Sequence, residues 1–291
     1  MNKRTFKHSA LPYFFIAPQL LIIAVFFVWP AVQSVNMSFY LQDPFGFSST
    51  FVGLQNYIDV LKNPNYFKSF RFTLLFSLLV TFFSLALALL LAVKADQVIR
   101  AKNSYNTLII WPYAIAPAVA GLLAVFLFDS HVGPLYQLFN QIWHFDHKLD
   151  SFDATLALVL VSVWKQVSVN FVYFIAGLQG IPHSVKEAAA IDCKSRTKRF
   201  WTITFPLLAP TTFFLLVINI TYAFFETFGI IDTLTRGRPS GETSTLVYKI
   251  YQDGFLGADL GGSSAQSVLL MVFVMLLTVV QFRFLEKKIH Y

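Results

Sequence analysis

The sequence predicts an all-α integral membrane protein: six transmembrane helices, with a short amphipathic helix in the cytoplasmic loop between the fourth and fifth. Three observations carry this. Of 291 residues, 56% are apolar and only 13% charged, about half the charge an average soluble domain uses to coat its surface. Several apolar runs are about 20 residues long, the length that crosses a hydrocarbon layer roughly 30 Å thick. Lys and Arg are also unevenly shared between alternate loops. A transmembrane β-barrel would need shorter, alternating segments, and none is present.

Taken in order, the spans fall near residues 12–35, 72–93, 108–128, 154–176, 206–229 and 266–285. The first follows Lys3, Arg4 and Lys7 as a signal peptide would. Its apolar stretch is too long for one, and Pro18 and Pro30 bracket it where a small-residue cleavage site would stand, so an uncleaved helix is expected. All six read as continuous helices, with no internal repeat and no broken midplane helix of the kind common in ion-coupled secondary transporters.

Orientation follows from the 22 Lys and Arg. With the N-terminus inside, 14 lie in inner segments (Lys3, Arg4 and Lys7; Lys94, Arg100 and Lys102; Lys186 and Lys194 to Arg199; Arg283, Lys287 and Lys288) and 7 in outer loops, while Lys165 lies within a span. A two-to-one bias predicts cytoplasmic termini. The net charge of +7 then reflects insertion and anionic headgroups, and nucleic-acid binding is not expected. Ten of the 15 acids fall outside, among them Asp129, Asp146, Asp150 and Asp153 in one loop.

Catalytic and energy-coupling motifs are missing. The chain has no Gly-Lys pair, hence no phosphate-cradling loop, and neither H-E-x-x-H nor G-x-S-x-G. The six His are scattered over loops and tails without ligand spacing to Cys193 or a carboxylate, so no metal or other cofactor is expected. Any work done here draws its energy from elsewhere.

The loop at about 180–206 stands out. Pro182 has a fixed φ suited to a first helical turn, and Val185, Ala188, Ala189 and Asp192 follow on one face. Small side chains there let another surface approach the backbone, with Glu187 offering charge at its edge. An amphipathic interfacial helix in a basic loop is the plainer alternative. After Asp192 and Cys193 the chain turns basic, then runs through Phe200, Trp201, Ile203 and Phe205 into Pro206.

Glu187-Ala188-Ala189, Asp192, Phe200, Ile203, Pro206 and Pro210 resemble, in identity and spacing, the EAA signature of the permease subunits of binding-protein-dependent ABC importers. The likeness extends to Ala17-Pro18, Trp29-Pro30, Phe51 to Tyr57, Pro112-Tyr113 and Pro117, as in the sugar-importing branch. Asp43 to Phe47, Ser162 to Gln166 and Tyr248 to Tyr251 look like permeases for sn-glycerol-3-phosphate. The resemblance implies a coupling helix seated in a cleft of a cytoplasmic ATPase, with Glu187, Ala188, Ala189, Asp192 and Cys193 at the contact and Glu187 paired to an ATPase arginine. It also implies a second permease chain, two ATP-binding subunits, an external solute-binding protein and no enzymatic activity in this chain. Cys193 and Lys194 depart from the family's usual Gly-Ala. If the turn needs φ > 0, a Cys costs about 1 kcal/mol there.

For the solute path, Lys165 sits near the centre of the fourth span, where a charge costs about 2.5–3.5 kcal/mol on insertion scales. Ser162, Lys165, Gln166, Asn170 and Tyr173 fall within an arc of about 140°, and Asn219, Tyr222 and Glu226 within about 60° on the fifth span, predicting one shared, water-accessible cavity. Counted along ideal helices, Lys165 is about 17 Å and Glu226 about 5 Å from the outer surface, while Asn219 is about 15 Å deep. Either Lys165 binds an anionic solute group, with Glu226 accepting from hydroxyls, or the two form a structural ion pair. Trp164 is a candidate for packing against a glycerol backbone. Gln266, Ser263 and Ser267 read as helix-end residues, and Phe214, Phe224 and Phe225 as packing. The rival substrates are an oligosaccharide or another polyol. The rival classes are an ion-coupled transporter working alone and a membrane enzyme, which the chain has no nucleophile, base or metal constellation to support.

Overall fold

The computed structural model describes residues 11–43, 48–96 and 107–285. Lys3, Arg4, Lys7, Pro44 to Phe47, Arg100, Lys102, Lys287 and Lys288 lie outside them. The described chain is helical apart from one two-stranded hairpin. Five helices are long and apolar enough to cross a membrane, or six if one bent pair counts as a span.

The described residues form two compact units. The first combines the described residues up to Asn63 with Ile250–Val272. It holds α1 (Tyr13–Met37), the antiparallel strands β1 (Tyr40–Gln42) and β2 (Ser49–Phe51) with Tyr40 opposite Phe51, and α2 (Gln55–Lys62). The Asn56 amide donates to the carbonyls of Ser38 (2.9 Å) and Tyr40 (3.0 Å), fixing α2 against the hairpin. Gly261 packs on the same point: a Cβ there would collide with the Tyr40 carbonyl. Gln266 is more than a helix end, since its amide donates to Asp253 at 2.7 Å while almost fully buried.

The second unit combines Pro64–Lys249 with Phe273–Tyr291. α3 (Pro64–Asp96) is 33 residues long, about 50 Å, and outruns the hydrocarbon layer. Its buried positions include Ser69, Thr73, Ser77, Ser84, Ala88 and Ala92, a small-residue stripe spaced to let a neighbouring helix approach closely. The hydroxyls of Thr73 and Ser77 donate back to the carbonyls four residues earlier. α3 packs along α7 (Ser151–Gly180).

The expected continuous third span is a correction. It consists of α4 (Thr107–Ala114) and α5 (Pro117–Leu127), bent by 108°. Pro112 and Pro117 each lack a backbone donor, and Ile115 and Ala116 between them are extended. α5 then crosses α11 (Phe228–Leu234) at two glycines: a Cβ on Gly229 would lie 2.9 Å from the Ala118 amide, and one on Gly121 would strike Thr233.

Between α5 and α7 the chain carries α6 (Pro134–Asn140) and an aromatic nest. Phe128, Phe139, Phe145 and His147 stack on one another. The four acids of this loop organise its backbone: Asp129, Asp146 and Asp150 each accept from two amides just ahead, Asp150 thereby capping α7. Asp153, buried, accepts from Trp143 Nε1 (3.0 Å) and the Asp146 amide (2.7 Å). The loop's aromatics therefore form a local core.

After α7 come α8 (His183–Asp192), the single turn α9 (Arg196–Arg199), a π-helical turn at Phe200–Thr204, and α10 (Ala209–Glu226), whose last turn is also π-helical. α12 (Leu246–Tyr251) and α13 (Leu260–Arg283) complete the chain. α13 begins six residues before the sequence estimate.

Candidate functional site

α8 is a short exposed peg. The Pro182 carbonyl accepts from the amides of Val185 and Lys186 at 3.1 and 3.3 Å, so the proline stands at the cap, one residue before the helix proper. At the other end Cys193 has φ −136°, ordinary extended backbone. The strain that a Cys would suffer at a left-handed turn does not arise.

Of the expected face, Val185, Ala188 and Asp192 are exposed, Val185 also bordering an inner cleft, while Ala189 is buried; Glu187 and Ile191 are exposed beside them. Ile191, missed in the sequence reading, is 86% exposed, the most open large apolar side chain described. Its signal was available: it lies one turn after Glu187 and Ala188, outside the small-residue face. Glu187 is held by His183 at 3.1 Å, an exposed pair one turn apart. On the inner side Lys186 Nζ donates to Asp96 Oδ2 at 3.4 Å, tying the peg to the end of α3.

Around Lys165 the residues separate into two groups. Asn170 and Asn219 are fully buried and exchange amide hydrogen bonds (3.0 and 2.7 Å); Ser84 donates to the Asn219 oxygen at 2.7 Å. Asn219 also donates to the Leu215 carbonyl. Tyr222, buried, reaches the Ser162 carbonyl at 3.4 Å. These four side chains are buried within the chain and brace α3, α7 and α10, where sequence counting expected two wet polar faces. An amide in an apolar interior has to satisfy its donors and acceptor, and two facing amides do so mutually.

Lys165 stands apart from that brace. Its Nζ lies 5.6 Å from the centre of the Tyr113 ring, within cation–π range. Among the described residues no carboxylate approaches it within 4.0 Å, so it forms no ion pair with Glu226, which acts on it from farther away. The first arm of the broken span covers this stretch of α7. Trp111 meets Trp164 edge to face at 6.1 Å, and Ser168 donates to the Ile109 carbonyl at 2.7 Å. Trp164 and Tyr173 keep about two-fifths of their surface open, and Glu226 is exposed, while Gln166 is buried. Tyr113 and Trp111 are site neighbours that span-by-span counting could not supply, because the bend brings them there.

A match to the family described as binding-protein-dependent transport system inner membrane component covers residues 72–291. The chain belongs to that family. As such an inner membrane component it is a transport subunit and not an enzyme. It is 52% identical over 292 residues to the sn-glycerol-3-phosphate transport system permease protein of Rhizobium meliloti (strain 1021), with both chains covered completely. It is 53% identical over 294 residues to the protein of that description from Brucella abortus biovar 1 (strain 9-941), again over the whole of both. With that of Pectobacterium atrosepticum it shares 49% over 291 residues, all of this chain and 99% of the other. The fold of the inner membrane component is also that of a chain in a bacterial ABC transporter importing the acidic polysaccharide alginate (TM-score 0.81, 18% identity, 95% of each chain). A second such structure, in complex with a periplasmic protein bound to an alginate pentasaccharide, superposes with a TM-score of 0.80 at 19% identity, over 94% of this chain and 93% of the other.

Proposed function

We propose that this permease moves sn-glycerol-3-phosphate inward, as one half of a transmembrane pathway completed by a second permease chain, two ATP-binding subunits and an external solute-binding protein. The observation that carries the reading is identity of about one half, over whole chains, to permeases named for that solute. An oligosaccharide or other polyol is the alternative solute. The peg α8 faces the cytoplasm together with both termini, in keeping with the Lys and Arg bias. ATP-driven closure of the motor subunits moves the peg, and the peg moves α7, α10 and, through Lys186 and Asp96, α3. Glu187, Ala188, Ile191 and Asp192 meet the motor, with Ile191 filling an apolar socket, while Ala189 and Cys193 support the peg from behind.

On the solute side, Lys165 offers a point charge to the phosphate, within reach of the Tyr113 ring and beside Trp164. Tyr173 and Glu226 line the approach, and Gln166 holds the lysine's stretch of α7. Asn170, Asn219 and Tyr222 serve that path only as its frame.

The test is uptake of labelled sn-glycerol-3-phosphate by the reconstituted full complex. Wild type accumulates it in an ATP-dependent way; Glu187→Lys inserts normally and loses at least tenfold of that rate. Accumulation of an oligosaccharide in its place, or full uptake by the Glu187 variant, overturns the corresponding half of the reading. Cys193, the only cysteine, reports orientation. A membrane-impermeant maleimide reaches it in inside-out vesicles and not in intact spheroplasts.

A further inference from the structure

Behind the peg lies a cleft of about 1200 Å³, larger than the roughly 300–1,000 Å³ of common small-molecule pockets. Its walls are apolar: Leu85, Leu89 and Leu90 of α3, Phe174 at the end of α7, and Trp201 and Leu207 beyond the peg. The cleft is open along its side, since Leu90 keeps 64% of its surface and Trp201 58%. Among the described residues nothing covers those two side chains.

The rim has a different character. It carries Lys94, Lys186, Arg196 and Arg199 against one acid, Asp96. Lys186 is already engaged with Asp96 at 3.4 Å. Lys94, Arg196 and Arg199 have no carboxylate within 4.0 Å among the described residues. Along α3 the apolar run ends at Val93 and the next residue is Lys94, which sets the cationic rim at the depth where hydrocarbon gives way to headgroups. An apolar slot opening sideways, closed at one end by three uncompensated cations, matches an amphiphile with an anionic head. Basic pockets between spans on the cytoplasmic side suit anionic headgroups, whereas a zwitterionic lipid would bring its own cation to the same rim.

We propose that this cleft binds one anionic phospholipid of the inner leaflet. Its acyl chains lie against Leu89, Leu90, Trp201 and Leu207, and its phosphate sits among Lys94, Arg196 and Arg199. The lipid touches α3, α7 and the buried side of the peg at once, so it stiffens the lever that carries the motor stroke and makes transport depend on leaflet composition. The inference rests on the cytoplasmic orientation proposed above, which Cys193 labelling reads independently of any lipid result.

The assembled transporter is reconstituted with phosphatidylglycerol or phosphatidylcholine brominated on the acyl chains, and tryptophan quenching is read as the difference between wild type and Trp201→Phe. Brominated phosphatidylglycerol quenches the Trp201 component at a mole fraction at least tenfold lower than brominated phosphatidylcholine does. The triple variant Lys94→Gln, Arg196→Gln, Arg199→Gln loses that preference, and the charge-conserving triple Lys94→Arg, Arg196→Lys, Arg199→Lys keeps it, which separates charge from folding. Equal quenching by both lipids overturns the proposal. So does a preference that survives the neutral triple. A Trp201 shielded from both lipids also overturns it, because the cleft is then filled by a partner chain.

Discussion

The first helix and the seventh make opposite use of the same solvent. α1 is the more apolar of the two, and none of its most apolar window is buried inside the chain; for α7 the buried share is 67%. What α7 buries includes Ser162, Lys165, Gln166, Ser168 and Asn170, while α1 turns Phe14, Phe15, Phe26 and Phe27 outward. In water the order would be reversed. Surrounded by lipid, an apolar side chain gains little by moving from hydrocarbon into protein, whereas a polar one gains its partners. Burial along α7 therefore gathers its polar side chains together with the apolar ones that pack them, and exposure along α1 leaves a face for lipid or another chain.

The sharpest way to break this contrast is at the centre of α7. Lys165→Met should cut sn-glycerol-3-phosphate uptake at least tenfold while complex assembly, followed by co-purification, is unchanged. Normal uptake would make the lysine a structural charge. Next in size is Asn170→Leu, which takes from the Asn219 amide the oxygen it donates to and one of the donors to its own oxygen, at a cost of about 2 kcal/mol. It should lower the midpoint of thermal unfolding in detergent, and Asn170→Leu with Asn219→Leu should recover part of the loss. A double variant worse than the sum of the singles would sink the brace.

Just before the start of α7, His147 provides a pH-dependent test. It is buried in the aromatic nest and its Nδ1 has no partner among the described residues. Burial holds its pKa below the usual 6.5, with Lys148 adding to the effect and Asp146, Asp129 and Asp153 opposing it. The unfolded loop then takes up the proton first. The nest's stability is complete above about pH 6.5 and is lost as pH falls toward the folded pKa, by up to about 1.4 kcal/mol per unit. Hydrogen-exchange protection factors of residues 128–153, taken against the intrinsic rate at each pH, should fall between pH 7 and 5, and His147→Phe should remove that fall. Smallest of all, Phe14→Leu or Phe27→Leu on α1 should shift the unfolding midpoint by less than about 0.5 kcal/mol equivalent. A larger shift in the assembled complex than in the isolated chain would identify α1 as a contact for a partner.

Class, span number and the peg were legible because each rests on a strong local signal: long apolar runs, charge bias, and an alanine-rich helix opened by proline. The finer geometry was not. Pro112 and Pro117 announce a weak point in the third span, but two prolines five residues apart do not reveal a bend of 108° or that Tyr113 would reach Lys165. Counting 100° per residue placed Glu226 beside Asn219 and Tyr222; the π-helical turn at Tyr222–Glu226 inserts an extra residue per turn and carries Glu226 off that face. Asn170 and Asn219 were recognised as polar positions on adjoining spans, and only packing reveals that each is the other's partner. Ala189, read as part of the peg's outward face, is buried because small side chains, read as an invitation to an outside surface, serve equally well to let the peg lie close on its own chain.

The elbow at Ile115 and Ala116 has one more consequence. A straight helix shields its peptide groups from oil by bonding each to the next turn, and a chain that folds back on itself gives up several of those bonds at the corner. Naked carbonyls and amides cannot be left in contact with acyl tails, where each would cost several kcal/mol. Something hydrated or polar must therefore stand at that corner, two residues from the aromatic ring beside the lysine.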